Sequence, residues 1–409
     1  MVNNINQLLV QARVAYDAAE WSLLIQCLQE LILETDSKDI EEVKCQESLL
    51  ELALSALEIG DFQQRWEIAK MLTRLGNITI PPLVAILEDD TTEDELRWYA
   101  VRILGELKQT EVIPVLMELI QSSDNEELRG MAAIALGQLG KTAILALTEL
   151  LANDDTKLLA TQTLCYIRNQ ETIVPLLSVA EDSQIAVRAA AIEALSSFHD
   201  SRITQVLLNS LEDTSATVRQ EAVRGLGFRP ELRDRLDLVT CLQAKLYDTK
   251  IDVACAAVVS LSRMGCDTAA SHLYQVLVTY DTPLKIQIEA IRGLTWIGSI
   301  SGLEYLQKAL NTLVSQTLWQ QIVVVIGRVQ HQFLNQKATE ILLEMLYQNH
   351  PASEISNIKS AIALSLGQLG RDEAIETLIS LSGDTDNQVR LHAIAALKNL
   401  APEIAHHQN

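Results

Sequence analysis

A pattern about 32 residues long returns eleven times along the chain, and this constrains the fold more than any other feature. The fullest copies open on a basic residue, place a small residue at offset 3 and an aliphatic residue at offset 7, and often add Gly at offset 8 or 11. They read RWYAVRILGEL from Arg97, RGMAAIALGQLG from Arg129, RAAAIEAL from Arg188, RQEAVRGLG from Arg219, KSAIALSLGQLG from Lys359 and RLHAIAAL from Arg390. Aligning the aliphatic position adds weaker copies at Arg65, Lys157, Ala254, Gln287 and Trp319. The intervals are 32, 32, 28, 31, 31, 35, 33, 32, 40 and 31 residues. Such a period holds two short helices and two turns and is too short for a β-propeller blade.

Offsets 3, 7 and 10 share one helical face, so the copy itself is the second helix of each repeat. Apolar stretches upstream, such as 112–120, 172–180 and 374–382, supply the first helix. An Asp recurs six residues before the start, at Asp182, Asp213, Asp248, Asp281 and Asp384. Its carboxylate is suited to backbone N–H groups at the next helix's N-terminus. The basic residue at the start can reach a neighbouring turn or carboxylate. Both ladders are expected to serve stacking.

Helical pairs with this D…R…A…LG signature resemble HEAT repeats, and the short form with LGQLG endings is similar to the HEAT-like repeats of phycobilisome lyases. The resemblance covers about residues 60–402 and implies an all-α fold, an α-solenoid of about eleven HEAT-like repeats. Residues 1–60 lack the signature and read as an N-terminal helical cap; 61–402 form the solenoid and 403–409 a tail. The interval of 40 signals an inserted loop at 349–356, and the interval of 28 a shortened turn.

Composition excludes several classes of function. Lys and Arg number 32 against 54 Asp and Glu, a net charge of −22 that disfavours nucleic acid as the main partner. No apolar run approaches the roughly 18 residues of a membrane span, and the N-terminus has no basic segment leading into an apolar one. The expectation is a cytoplasmic chain that is not an integral membrane protein. The six cysteines show no CxxC or zinc-finger spacing and read as free, mostly buried thiols. The seven histidines read as turn and surface residues. Gly140-Lys141-Thr142 mimics the end of a phosphate-binding loop, but no strand precedes it and the glycine reads as a left-handed helix cap.

Function in a repeat protein should lie where packing does not dictate the residue. Offsets 1, 5 and 9 lie opposite the core face of the second helix. In HEAT arrays that helix lines the concave side, so these positions should form a stripe along a groove. The stripe has seven basic and two acidic residues and five aromatics, although aromatics are 4% of the chain. Trp66, Lys70, Arg74, Trp98 and Arg102 form one group; Arg224, Phe228, Arg263, Arg292, Trp296 and Arg328 form a second. Trp beside Arg is the composition of a protein-binding surface. Cys255 lies on the same stripe and is the one thiol proposed as a metal ligand.

The whole-chain pattern is similar to the long cyanobacterial HEAT-repeat proteins of the IaiH type. That resemblance implies a non-enzymatic scaffold whose groove binds an IscA-type iron–sulfur carrier and stabilises its cluster. No stably bound cofactor is then expected, beyond an iron–sulfur cluster shared with the partner. The lyase-type repeats imply an alternative, a phycobilin lyase or phycobiliprotein chaperone. There Arg and Lys would hold the propionates of a phycocyanobilin-type bilin, with Trp stacked on its rings. A HEAT-like DNA glycosylase is disfavoured by the net charge and by the lack of a catalytic Asp distinct from the Asp ladder.

Overall fold

A computed structural model describes residues 2–35, 43–89 and 91–402. The described residues form 24 α-helices joined by turns and short 3-10 segments, with no strand among them. After Val2–Asp17 and Trp21–Thr35 the helices run in eleven pairs, the first being Val43–Ile59 with Phe62–Leu75 and the last Ile375–Ser382 with Asn387–Leu400. The fold is therefore an α-solenoid. The first pair begins inside the expected cap, so a capping role falls to Val2–Asp17 and Trp21–Thr35 and remains a proposal. The expected tail, with His406 and His407, lies outside the described residues.

The aliphatic residue at offset 7 explains why the copies stack. In all eleven it has no exposed surface: Leu72, Leu104, Leu136, Leu164, Leu195, Leu226, Leu261, Leu294, Ile326, Leu366 and Leu397. Each such burial contributes about 1.5–3 kcal/mol. The small residues bring helices close. A Cβ on Gly105 would meet Ala135 Cβ at 2.8 Å, and one on Gly367 would meet Ala396 Cβ at 2.5 Å. Each is the glycine at offset 8 of its copy and is required by the next second helix. The second glycine of LGQLG has a different role. Gly370 takes the left-handed conformation (φ 70, ψ 32), whereas Gly140 turns at φ 64, ψ −130, a region open to glycine alone. The expectation of a left-handed glycine cap thus holds at Gly370 and is corrected at Gly140. Lys108 and Arg168 occupy the left-handed position elsewhere.

The two polar ladders bind the turns. Arg219 donates to its own turn at Asp213 O (2.8 Å) and Thr214 O (3.2 Å), and grips Asp248 of the following repeat with Nε (2.7 Å) and Nη2 (2.9 Å). Arg390 repeats the turn contacts at Asp384 O (2.6 Å) and Thr385 O (2.9 Å), and Lys359 reaches Asp384 at 2.6 Å. Asp182, Asp213, Asp248 and Asp384 accept the N–H two residues onward, from Gln184, Ser215, Lys250 and Asp386. They close the turn before the helix instead of capping the helix itself, because six residues of separation place them two residues before the N-cap. Asp281 is exposed, and in its repeat Gln287 Nε2 donates to Leu277 O (2.8 Å).

The interval of 28 combines a short first helix, Ile144–Leu150, with the expected short turn before Asp154–Ile167; Ile173–Ser178 is shorter still, but a longer turn follows it and its repeat keeps an interval of 31. The insertion at 349–356 is ordered by His350. Its Nδ1 faces the Ala352 N–H (3.1 Å), its Nε2 faces Leu310 O (3.0 Å), and its ring packs edge-on against Trp319. Gly140-Lys141-Thr142 opens a 3-10 turn between helices, with Lys141 paired to Glu171 at 2.5 Å. One described run, Glu126–Leu150, has the length and hydropathy of a membrane span, against the sequence expectation. It is broken at Gly140 into separate helices whose leucines, Leu145 excepted, fill the core. The chain divides into two compact units, 1–194 and 195–409.

Candidate functional site

Offsets 1, 5 and 9 are left over once the core face and the turns are satisfied, and none of the eleven nominated side chains is buried. In the first unit they converge. Arg102, from the helix Asp94–Leu107, lays its guanidinium 3.5 Å from the ring centre of Trp66 on the preceding second helix, Phe62–Leu75. The Trp98 ring centre is 6.0 Å away. Glu106 fixes this arrangement by accepting from Arg102 Nε (3.1 Å) and from Thr73 Oγ1 across the repeat boundary (3.1 Å). Rings continue through Phe62, stacked on Trp66 at 6.2 Å, and Tyr99, edge-on to Trp98 at 5.1 Å. Lys70 and Arg74 are exposed on the same helix as Trp66.

The second unit holds a separate set. Arg263, on Ile251–Met264, lies 4.4 Å from the ring centre of Phe228, which caps Ala216–Gly227 and is 52% exposed. Between Ile251–Met264 and Leu284–Trp296 is a hollow of about 220 Å³ lined by Val258, Val259, Arg263, Arg292 and Trp296. Trp296 is 75% exposed. Arg224 and Arg328 are exposed on their own helix ends. A guanidinium flat against an aromatic face holds its planar fork ready for a carboxylate at small entropic cost.

The charge excess of the stripe is smaller in space than in sequence. Lys70 pairs with Glu67 (3.0 Å), Arg224 with Glu221 (2.7 Å) and Arg292 with Glu289 (2.6 Å), each from one turn earlier on its own helix. These glutamates stand at offset 2, outside the stripe, so counting the stripe alone overlooked them. The signal was present as Glu and a basic residue at i, i+3. Among the described residues Arg74, Arg263 and Arg328 have no carboxylate at ion-pair distance.

The thiols offer little chemistry. Burial pushes the Cys165 thiol up to about 12, with the Glu193 carboxylate adding to the shift, and its Sγ donates to Ala190 O at 3.4 Å. Burial also raises the Cys255 thiol, against the opposing pull of Lys285. No three His, Cys, Asp or Glu side chains gather as a metal cage among the described residues. The side chain of Cys45 lies outside the described residues. His272 and His392 sit within helices, contrary to the expectation of turns, and His392 Nδ1 bonds Ser360 Oγ at 2.8 Å. Another hollow in the second unit, of about 360 Å³, holds Arg229. That guanidinium is engaged by the carbonyls of Ser196, Phe198 and Gly225, which close the ends of neighbouring helices.

Comparison with known proteins agrees with this architecture. A family profile described as HEAT repeats matches residues 80–160, 144–227 and 204–284, which together run through half of the chain. The chain belongs to the HEAT-repeat family. A second profile of HEAT repeats, described as the PBS lyase HEAT-like repeat, matches residues 358–384 of the chain. No match is found among curated proteins. Among solved structures, Kap121p bound to Ste12p is 14% identical with a TM-score of 0.58, covering 98% of this chain and 52% of that one. The Kap95:Nup1 complex is 14% identical with a TM-score of 0.52, covering 93% and 60%. This HEAT-repeat chain therefore spans between half and two thirds of those neighbours, and at such identity the likeness concerns the fold alone.

Proposed function

We propose that this HEAT-repeat protein is a non-enzymatic scaffold that binds a protein partner on the exposed face of its second helices. The partner is an IscA-type iron–sulfur carrier, met in the cytoplasm, whose cluster the scaffold shelters without supplying ligands. The observation that carries this reading is the pairing of arginine with aromatic rings across adjacent repeats, at positions that packing leaves free. Arg102 against Trp66 and Trp98, and Arg263 against Phe228, hold broad surfaces in place before any partner arrives. Such pre-ordered Trp and Arg residues are the usual centres of binding energy. With four of the basic heads already paired to glutamates, recognition rests on shape and on Arg74, Arg263 and Arg328 more than on a broad positive field.

The test is capture of the purified carrier, loaded with its cluster, by the full chain. Replacing Trp98 and Arg102 together by Ala is expected to weaken capture by about a hundredfold, the effect of two central interface residues. Circular dichroism checks that the variant is folded. Full retention of the carrier by a folded double variant would remove the first-unit set from the site, and no capture by the wild-type chain would remove the carrier.

A second reading has its own support. The PBS lyase HEAT-like repeat at 358–384 and the apolar hollow beside Arg263, Arg292 and Trp296 favour handling of a phycocyanobilin-type bilin, as a lyase or a phycobiliprotein chaperone. Mixing the chain with the bilin would then shift the pigment's visible absorbance, and Trp296→Ala would suppress the shift. An unchanged spectrum rejects this reading.

A further inference from the structure

At the N-terminal ends of three successive second helices in the first unit lies a hollow of about 260 Å³ with chemistry opposite to that of the arginine sets. Phe62, Trp98, Tyr99 and Leu128 line it, and Asp94, Glu95 and Glu127 stand at its rim. Phe62 is 63% exposed, and Tyr99 is buried with its hydroxyl donating to Phe62 O (3.1 Å). The floor is thus apolar and its one polar tip is already bonded.

Acidic residues in a helix's first turn favour the helix dipole, which accounts for their presence one helix at a time. Dipoles do not account for three carboxylates from two helices meeting around the exposed Phe62 ring and the half-buried Trp98 ring. Asp94 accepts from Asn125 Nδ2 (2.8 Å) and has Arg97 at 4.0 Å, with Arg97 itself bonded to Leu87 O. Glu95 takes Arg65 at 3.0 Å. Glu127 is exposed and has no cationic partner among the described residues. The rim therefore keeps an uncompensated negative charge beside two aromatic faces, the arrangement that attracts a planar cation with an apolar stem.

We propose that this hollow receives an arginine side chain from a protein partner, its guanidinium stacked on Trp98 and Phe62 and paired with Glu127 and Asp94. The site complements the basic sets, and a partner engaging both must present arginine to one surface and carboxylates to the other. It shares Trp98 with the first basic set, but its test is independent of the carrier and bilin readings, since neither molecule enters it.

The full chain is labelled with 5-fluorotryptophan, and the Trp98 resonance is assigned by Trp98→Phe. It is titrated with acetyl-Gly-Arg-Gly-amide, with the neutral citrulline counterpart and with acetyl-Gly-Asp-Gly-amide. The arginine peptide is expected to shift the Trp98 signal saturably and leave Trp296 in place. The citrulline peptide should bind about tenfold more weakly, having lost the charge while keeping the shape. Glu127→Gln should weaken the response and Glu127→Lys abolish it, with circular dichroism checking that both variants are folded. The proposal is overturned if Trp98 does not shift, if citrulline or the aspartate peptide does as well as arginine, or if Glu127→Lys titrates like the parent.

Discussion

Arg219 shows what a single position does for a repeat. Its guanidinium joins two turn carbonyls and the Asp248 carboxylate, and both partners of the ion pair are nearly enclosed, with side chains 14% and 7% exposed. Removing one partner leaves the other carrying charge without compensation. Arg219→Ala is therefore expected to cost about 3 kcal/mol in urea denaturation, well above an exposed pair such as Arg224–Glu221. The aspartates of the same ladder give a pH dependence. Arg219 holds the Asp248 carboxyl below its ordinary value, and the Asp386 N–H together with Lys359 does so for Asp384. Folded, these groups bind fewer protons than in the unfolded chain. Their contribution is complete above about pH 4 and drains away as pH falls towards the depressed native values. Denaturation midpoints should be flat from pH 5 to 7 and drop below about pH 4, with a smaller drop in Asp248→Asn. The ladders were legible in sequence because they recur. Glu67, Glu221 and Glu289 were not weighed, because they lie outside the stripe and their ion pairs depend on where flexible side chains settle.

Between helices the decisive contacts are made by what is missing. Gly367 lets the helix Ser356–Leu369 approach Asn387–Leu400 so closely that a Cβ would sit 2.5 Å from Ala396 Cβ and 3.0 Å from its Cα. Backbone cannot yield as a side-chain tip can, so Gly367→Ala should cost about 1–3 kcal/mol through overpacking. Gly370→Ala meets no neighbour within 4 Å and should lose about 1 kcal/mol from its left-handed backbone alone. Thermal melts of the two variants separate the mechanisms, since a bulk-relieving Ala396→Gly should rescue only the first. Helix pairing was readable from Phe62 onward because offset 7 fixes the inward face, whereas Val43–Ile59, which lacks the signature, reads as part of the cap. Turn details were less so: the ladder carboxylates close a turn instead of capping a helix, and the short repeat loses length from Ile144–Leu150 as well as from its turn. In each case sequence spacing fixes the element, while its ends are decided by local hydrogen bonds of about 1 kcal/mol apiece.

On the scale of the chain, every helix finds its neighbours within one or two repeats, and the two compact units meet in the sequence at Ala194 and Leu195. Arrays built from near contacts lose strict cooperativity as they lengthen. Trp66 and Trp98 report on the first unit and Trp296 and Trp319 on the second. Single-tryptophan variants should unfold at different urea concentrations in the two units; one shared midpoint would mean that the division has no energetic meaning. The ladder of turn-gripping basic residues also bears on how such a chain acquires its length. Each grip reaches only from one turn to the next, as Arg219 does to Asp248 and Lys359 to Asp384. Duplicating a whole period that carries the grip would create a joint with partners of the same kind, so recombination could lengthen this protein there without redesigning the seam, whereas the repeats that start at Ala254, Gln287 and Trp319 lack the basic residue.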